Sequence, residues 1–275
     1  MADSQIILIT GASDGFGHLV AEKLLAKGHT VYATARRTDR MCDLQDKGAH
    51  VLHLDVTNTE EVQKVVDQLI AEQGRIDVLV NNAGFGQYGV VEAVSEEQLK
   101  YQFDVNVFGM HRLQQAVLPH MRKARSGKII NLGSIVSHVS APILGWYAST
   151  KHAIKGMTEA LRMEVRDLGI DVVEIEPGAV RTGFEEVAFD ALDKVQAPSD
   201  YDTVVKGMTN ASRNMYKSAP GPERTANAIV TAIEASRPRA VYKTTTDSHI
   251  LPLIKRLIGD HRYGAMNLWM ARRTL

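Results

Sequence analysis

The sequence predicts an α/β protein, a doubly wound parallel sheet of about seven strands with helices on both faces. Three observations predict it. Short runs of β-branched and aliphatic residues recur along the 275 residues, several of them apolar throughout, as strands covered on both faces must be. Longer segments with apolar residues at helical spacing separate the runs. A glycine-rich turn directly follows the first run.

In chain order the runs are QIILIT, HTVYATA, HVLHLD, IDVLVNN, GKIINLGS, IDVVEIEP and RAVYK. Between the third and fourth, TNTEEVQKVVDQLIAEQG sets Val62, Val65, Val66 and Leu69 on one helical face, with Thr59 as the expected cap and Gly74 as the expected stop. Such alternation, with right-handed crossovers, gives an open sheet. Residues 183–220 are too long for a simple connector and are expected to form an excursion or lid over the substrate. Residues 246–275, rich in Leu, Ile and Met with interspersed Arg and Lys, are expected to form a C-terminal helical extension. Packing on the domain is its first expected role, then a partner contact, then a membrane surface. The whole chain, 1–275, reads as one domain with a sizeable core.

Composition narrows the function. Basic and acidic residues balance at 32 each, which gives no sign of a nucleic-acid partner. Cys42 is the only cysteine, so no intramolecular disulfide can form, and a cytoplasmic, reducing location is expected. MADSQIILITGAS lacks the basic and apolar regions of a secretory signal, and no apolar stretch is long enough to span a bilayer.

The turn is TGASDGFG. Gly11, Gly15 and Gly17 stand where a strand becomes a helix, so a phosphate can approach bare backbone at a helix N-terminus. The spacing is G-x-x-x-G-x-G, a relative of the dinucleotide fingerprint and not that fingerprint itself. GASDG also fits G-x-S-x-G, which would make Ser13 the nucleophile of a hydrolase; that pattern belongs on a mid-sheet strand, and here it follows the first. The second run ends in Ala35, Arg36 and Arg37, where an acid would select NAD. Two arginines can instead grip a 2′-phosphate through charge-assisted hydrogen bonds, and NADP(H) is the cofactor expected.

With these motifs in order, the chain closely resembles the classical short-chain dehydrogenase/reductases from about Ile6 to Thr182. TGASDGFG resembles the family's cofactor turn, with Thr10, Ser13 and Phe16 beside the glycines. In LDVT, Asp55 and Val56 stand where the family holds adenine. NNAG supplies Asn82, Ala83 and Gly84, and DVNVFG supplies Asn106. Ser134 precedes Tyr147 by thirteen residues, YASTK adds Lys151, and PGAVRT brings Pro177, Gly178, Val180 and Thr182 to the nicotinamide. Taken singly, Asn106 could be a mid-helix polar residue, Ser134 a loop cap and Asp55 a turn acid; their joint order carries the resemblance.

The resemblance implies a Rossmann-like domain, a small-molecule substrate and a homodimer or homotetramer built through the long helices. It implies that Tyr147 is the acid/base, Ser134 the hydrogen-bond donor to the substrate oxygen and Asn106 the holder of a proton-relay water. Lys151 would bind the nicotinamide ribose. One turn from Tyr147 on the same helix face, it is also expected to lower the tyrosine pKa from its usual value near 10. The pattern is most similar to steroid- and retinol-type members, and Val139, Leu144, Trp146, Phe184 and Val187 are expected to flank an apolar alcohol or ketone. Two further readings are a catalytically silent NADP(H) sensor and an epimerase or dehydratase of the family's extended branch.

Overall fold

The seven runs become seven strands: the five inner ones are buried along most of their length, and β3 and β7 form the half-exposed edges. A computed structural model of the chain describes residues 4–275; the first three, part of the expected non-signal N-terminus, lie outside the described residues. The elements run β1 (Ile6–Thr10), α1 (Gly15–Ala26), β2 (Thr30–Ala35), α2 (Cys42–Asp46), β3 (His50–His53), α3 (Thr59–Gln73), β4 (Val78–Asn81) and α4 (Glu96–Phe103). They continue with α5 (Gly109–Ala124), β5 (Gly127–Leu132), α6 (Gly145–Val165), β6 (Ile170–Glu176), α7 (Phe184–Asp193), α8 (Asp202–Ser218), α9 (Glu223–Glu234), β7 (Val241–Lys243) and α10 (Thr246–Arg273).

The sheet is parallel throughout, in the order β3-β2-β1-β4-β5-β6-β7. Alternate residues of each strand feed opposite cores, as the two-residue strand period requires. Ile7 and Ile9 of β1, Val78 and Val80 of β4, and Val173 and Ile175 of β6 pack with Val20 and Leu24 of α1 and Ile229 and Ile233 of α9. Ile6 and Leu8, Leu79, and Val172 pack on the other face with Val62, Val66 and Leu69 of α3, Leu113 and Val117 of α5, and Val165 of α6.

Local chemistry sets the ends. Helix α3 stops at Gly74, whose φ of 73° suits a residue without Cβ, as expected. Its cap lies one residue earlier than Thr59: the Asn58 carboxamide accepts the amides of Glu60 and Glu61. Asparagine outranks threonine as a cap. Between α4 and α5 the helix widens into a π turn over Asp104–Phe108 around buried Asn106. Residues 183–220, expected as an excursion, hold helices α7 and α8, and 246–273 form α10. No helix among the described residues is long and apolar enough to cross a membrane.

Candidate active site

In an open parallel sheet a ligand binds beyond the carboxyl ends of the strands where their order reverses, here between β1 and β4. A cavity of about 560 Å³ lies there. Its wall includes Gly11, Ser13, Gly15, Phe16, Arg36, Arg37, Asp55, Val56, Asn82, Ala83, Gly84, Ser134, Tyr147, Lys151, Pro177, Gly178, Val180 and Thr182. Of the residues expected at the site, Thr10, Gly17 and Asn106 stand behind this wall, and each is tied to it.

Thr10 ends β1 and joins it to β4: its hydroxyl donates to the Val80 carbonyl and accepts the amides of Asn82 and Ala83 at 3.1 Å. Asn82 donates back to the Thr10 and Gly11 carbonyls at 2.9 and 3.0 Å. The turn is tight enough to demand glycine. Gly11 has φ of 68°, and a Cβ on Gly17 would lie 2.5 Å from the Gly11 carbonyl oxygen. Asp14 caps α1 through the Gly15 amide, so the helix start faces the cavity. This bare, positively polarised backbone, with exposed Arg36 and Arg37 at the end of β2, fits a dinucleotide bearing a 2′-phosphate.

Asp55 is held by the Thr57 amide and hydroxyl at 2.9 and 2.8 Å. Burial alone would raise its carboxyl. The Thr57 hydrogen bonds, with Arg36 and His53 nearby, outweigh that and leave it below its ordinary value, so it stays an anionic acceptor. Asn106 clamps the chain after β4: its oxygen accepts the Phe85 amide at 3.0 Å, while its nitrogen donates to the Phe85 carbonyl and to Thr150 of α6 at 2.8 and 3.2 Å. Its side chain thereby connects β4 to the helix carrying Tyr147.

The Ser134 hydroxyl accepts the Val136 amide at 3.3 Å and donates toward the Pro177 carbonyl at 3.5 Å, linking β5 to the segment after β6. It also lies close enough to Tyr147 to lower the phenol pKa. Lys151 donates to the Leu132 carbonyl at 2.6 Å, with its nitrogen 5.9 Å from the Tyr147 ring centre. The burial of the ring works against the tuning expected of Lys151. Burial pushes Tyr147 well above its usual value, and the nearby Ser134 hydroxyl does not offset it. The reason is the surroundings: the ring lies 5.3 Å from Phe184 and 6.1 Å from Tyr88, an aromatic box that penalises phenolate. Lys151 is itself pushed down to about 8 by burial, with Glu174 pulling the other way. In this geometry Tyr147 is held as a proton donor.

Of the expected flanking residues, Val139, Leu144, Phe184 and Val187 line the cavity. Trp146 does not: its indole donates to the Val91 carbonyl at 3.0 Å. The opposite wall lies largely in the two segments expected to shape the pocket, 183–220 and the C-terminal extension, but its individual residues carried no readable code. It comes from Tyr88, from Met208, Met215 and Tyr216 of α8, and from Leu251, Tyr263, Met266 and Met270 of α10. Tyr88 and Tyr216 meet hydroxyl to hydroxyl at 3.5 Å. The start of α10 also buttresses the segment after β6, since Thr245 accepts the Gly178 amide at 2.8 Å and Asp247 the Ala179 amide at 3.0 Å. The methionine-rich composition of the tail was the one available signal.

Ser13 has no hydrogen-bonded histidine among the described residues; the nearby His18 is paired with Asp43 at 3.0 Å. The strand before Ser13 is internal to the sheet, so position alone does not exclude the hydrolase reading, but the partner that would activate the hydroxyl is not there.

A parallel sheet with a glycine turn at its switch point, facing a serine, a tyrosine and a lysine in one cavity, defines a nucleotide-dependent oxidoreductase of the short-chain type. The family model described as short chain dehydrogenase matches residues 5–193, and the chain belongs to this family. A 3-ketodihydrosphingosine reductase of Bacteroides thetaiotaomicron is 46% identical over 182 residues, 66% of each chain. An NADPH-dependent 3-dehydrocapnine reductase of Ornithobacterium rhinotracheale is 32% identical over 92% of both chains. The crystal structure of a short-chain dehydrogenase from Streptomyces avermitilis superposes with a TM-score of 0.83 at 36% identity, over 93% of both chains.

Proposed function

We propose that the chain is an NADP(H)-dependent oxidoreductase that interconverts a carbonyl and an alcohol on an apolar substrate, with Tyr147 as the proton donor and acceptor. The observation that carries this reading is that Tyr147 and Ser134 line one aromatic and methionine-lined cavity that also holds the glycine turn. When bound, the nicotinamide exchanges hydride with the substrate carbon.

The protein supplies the rest. Tyr147, a phenol protonated at neutral pH and held so by its burial, gives its proton to the carbonyl oxygen in the reductive direction. Ser134 hydrogen-bonds the same oxygen as charge develops on it, in the manner of an oxyanion hole. Lys151, fixed by the Leu132 carbonyl, would orient the ribose, and its positive charge would favour the transient phenolate. Asn106 holds α6 in register with β4 and, in this proposal, helps hold the water through which Lys151 is resupplied with protons. Arg36 and Arg37 would grip the 2′-phosphate, Asp55 and Val56 would hold the adenine, and Val180 and Thr182 would contact the nicotinamide. The relative that is NADPH-dependent by name supports the cofactor choice.

Both named relatives act on lipid ketones by their names, which favours a long-chain lipid ketone over a steroid or retinoid. The tailored wall agrees: methionine side chains adapt to a flexible chain more readily than to a rigid ring system. NADPH oxidation measured against a panel of 3-keto lipids, steroid ketones and retinal tests the reading. Turnover with the lipid ketones alone is expected; turnover with none of the three would overturn it.

A further inference from the structure

Helix α10 has two faces of opposite character. Gly259, with φ of 78° and ψ of 167°, breaks it, and residues 260–273 form its terminal part. The inner side of that part is Tyr263, Asn267 and Ala271, all buried. It is held to α8, where the Thr274 hydroxyl donates to the Gly207 carbonyl at 2.7 Å and Asn210 to the Thr274 carbonyl at 2.8 Å. The outer side carries Leu268 and Trp269, the latter 55% exposed, among exposed Arg262, Arg272 and Arg273. At 100° per residue these five fall in one arc opposite the buried three. The Arg273 guanidinium lies 4.7 Å from the Trp269 ring centre. Beyond Asp260 the chain has no acidic residue. Upstream of the break, Leu253 and Leu257 stand one turn apart and 55% and 74% exposed.

This face adjoins the mouth of the reaction cavity. Met266 and Met270 line the cavity from the flank of the same helix, and Met270 and Met215 are also partly open to solvent. The methionine lining of the cavity therefore lies beside the outer face of α10 on the same helix.

We propose that the outer face of α10 docks the protein on an anionic lipid bilayer. Leu257, Leu268 and Trp269 would sit at the headgroup boundary, with Arg262, Arg272 and Arg273 on the phosphates, so that the cavity mouth faces the lipid. Charge selects this occupant. A second copy, meeting this patch about a twofold axis, would set the three arginines against themselves. Docking needs no catalytic reading; the passage of a lipid substrate from bilayer to cavity rests on the reductase proposal, so binding is tested without turnover.

The experiment is flotation of the full chain with vesicles of phosphatidylcholine alone or mixed with phosphatidylglycerol, with light scattering to give its mass. The wild type is expected to float only with the anionic vesicles and to be released by salt. Trp269→Glu/Leu268→Glu and Arg262→Glu/Arg272→Glu/Arg273→Glu should each lose at least about tenfold in partitioning, at unchanged NADPH affinity and mass. Arg272→Gln/Arg273→Gln changes exposed positions alone and should give a smaller loss of the same sign, which keeps the test open if a larger change unfolds the tail. No flotation of the wild type, equal flotation on both vesicles, or variants that float as the wild type does would overturn the proposal. So would a loss of oligomeric mass in the variants without vesicle binding, which assigns the face to contacts between copies.

Discussion

The two halves of the cavity are built by different rules. The cofactor half, from Thr10 to Thr182, depends on residues whose type is dictated by backbone geometry or charge: Gly17, where a Cβ would strike a carbonyl, or Arg36 and Arg37, the cations at the end of β2. The substrate half, from Phe184 to Met270, depends only on apolar volume delivered by α7, α8 and α10. A requirement for one side chain leaves a motif. A requirement for volume leaves only hydrophobic periodicity, which many sequences satisfy.

Substitutions that probe each half should therefore differ in size. Tyr147→Phe removes the transferable proton while keeping the ring against Phe184, so turnover should fall by on the order of 10²–10⁴ with NADPH affinity, followed by fluorescence titration, intact. Next comes Arg36→Ala/Arg37→Ala. If both arginines hold the 2′-phosphate, NADPH binding should weaken by about 2–3 kcal/mol while NADH binding barely moves; equal losses would show that the pair does not read the phosphate.

Behind both halves, buried Glu174 is raised to about 7 by burial and by the neighbouring Glu176, against Lys155, His138 and Arg162. A carboxyl with a raised folded pKa contributes stability at low pH that is lost as pH climbs from the unfolded value of 4.5 through 7. Glu174→Gln should therefore unfold at higher denaturant than the wild type above pH 7, by roughly 2–3 kcal/mol, and the gap should close near pH 4. A constant gap across that range would refute the titration as its cause. The smallest effect belongs to the substrate wall: Met266→Ala should raise KM for a long-chain ketone by less than about tenfold with cofactor affinity unchanged.

The same division explains what could be read in advance. All seven strands were legible: the inner ones because a strand covered on both faces has to be apolar along its length, the edge strands β3 and β7 from short β-branched or aliphatic runs in the same alternation. The Asn58 cap was misplaced by one residue because Thr59 beside it is also a capping type. The raised pKa of Tyr147 was not legible: the helix spacing gives the lysine, but Phe184 and Tyr88 reach the ring from remote segments. Trp146 was assigned to the cavity from its position next to Tyr147, yet successive residues of a helix point about 100° apart, and its indole turns to Val91. Residues 183–220 and the C-terminal extension were expected at the pocket, but which of their residues face it was unreadable for a like reason, since periodicity in Met208 or Met266 reports burial and not the surface buried against.

The central claim is that Tyr147 transfers the proton in an NADPH-driven carbonyl reduction. Single-turnover oxidation of bound NADPH by 3-ketodihydrosphingosine tests it most directly, in the wild type and in Tyr147→Phe. Rapid oxidation by the wild type and none of comparable rate by the variant, at equal NADPH occupancy, is the predicted result. Oxidation at similar rates in both would contradict the account.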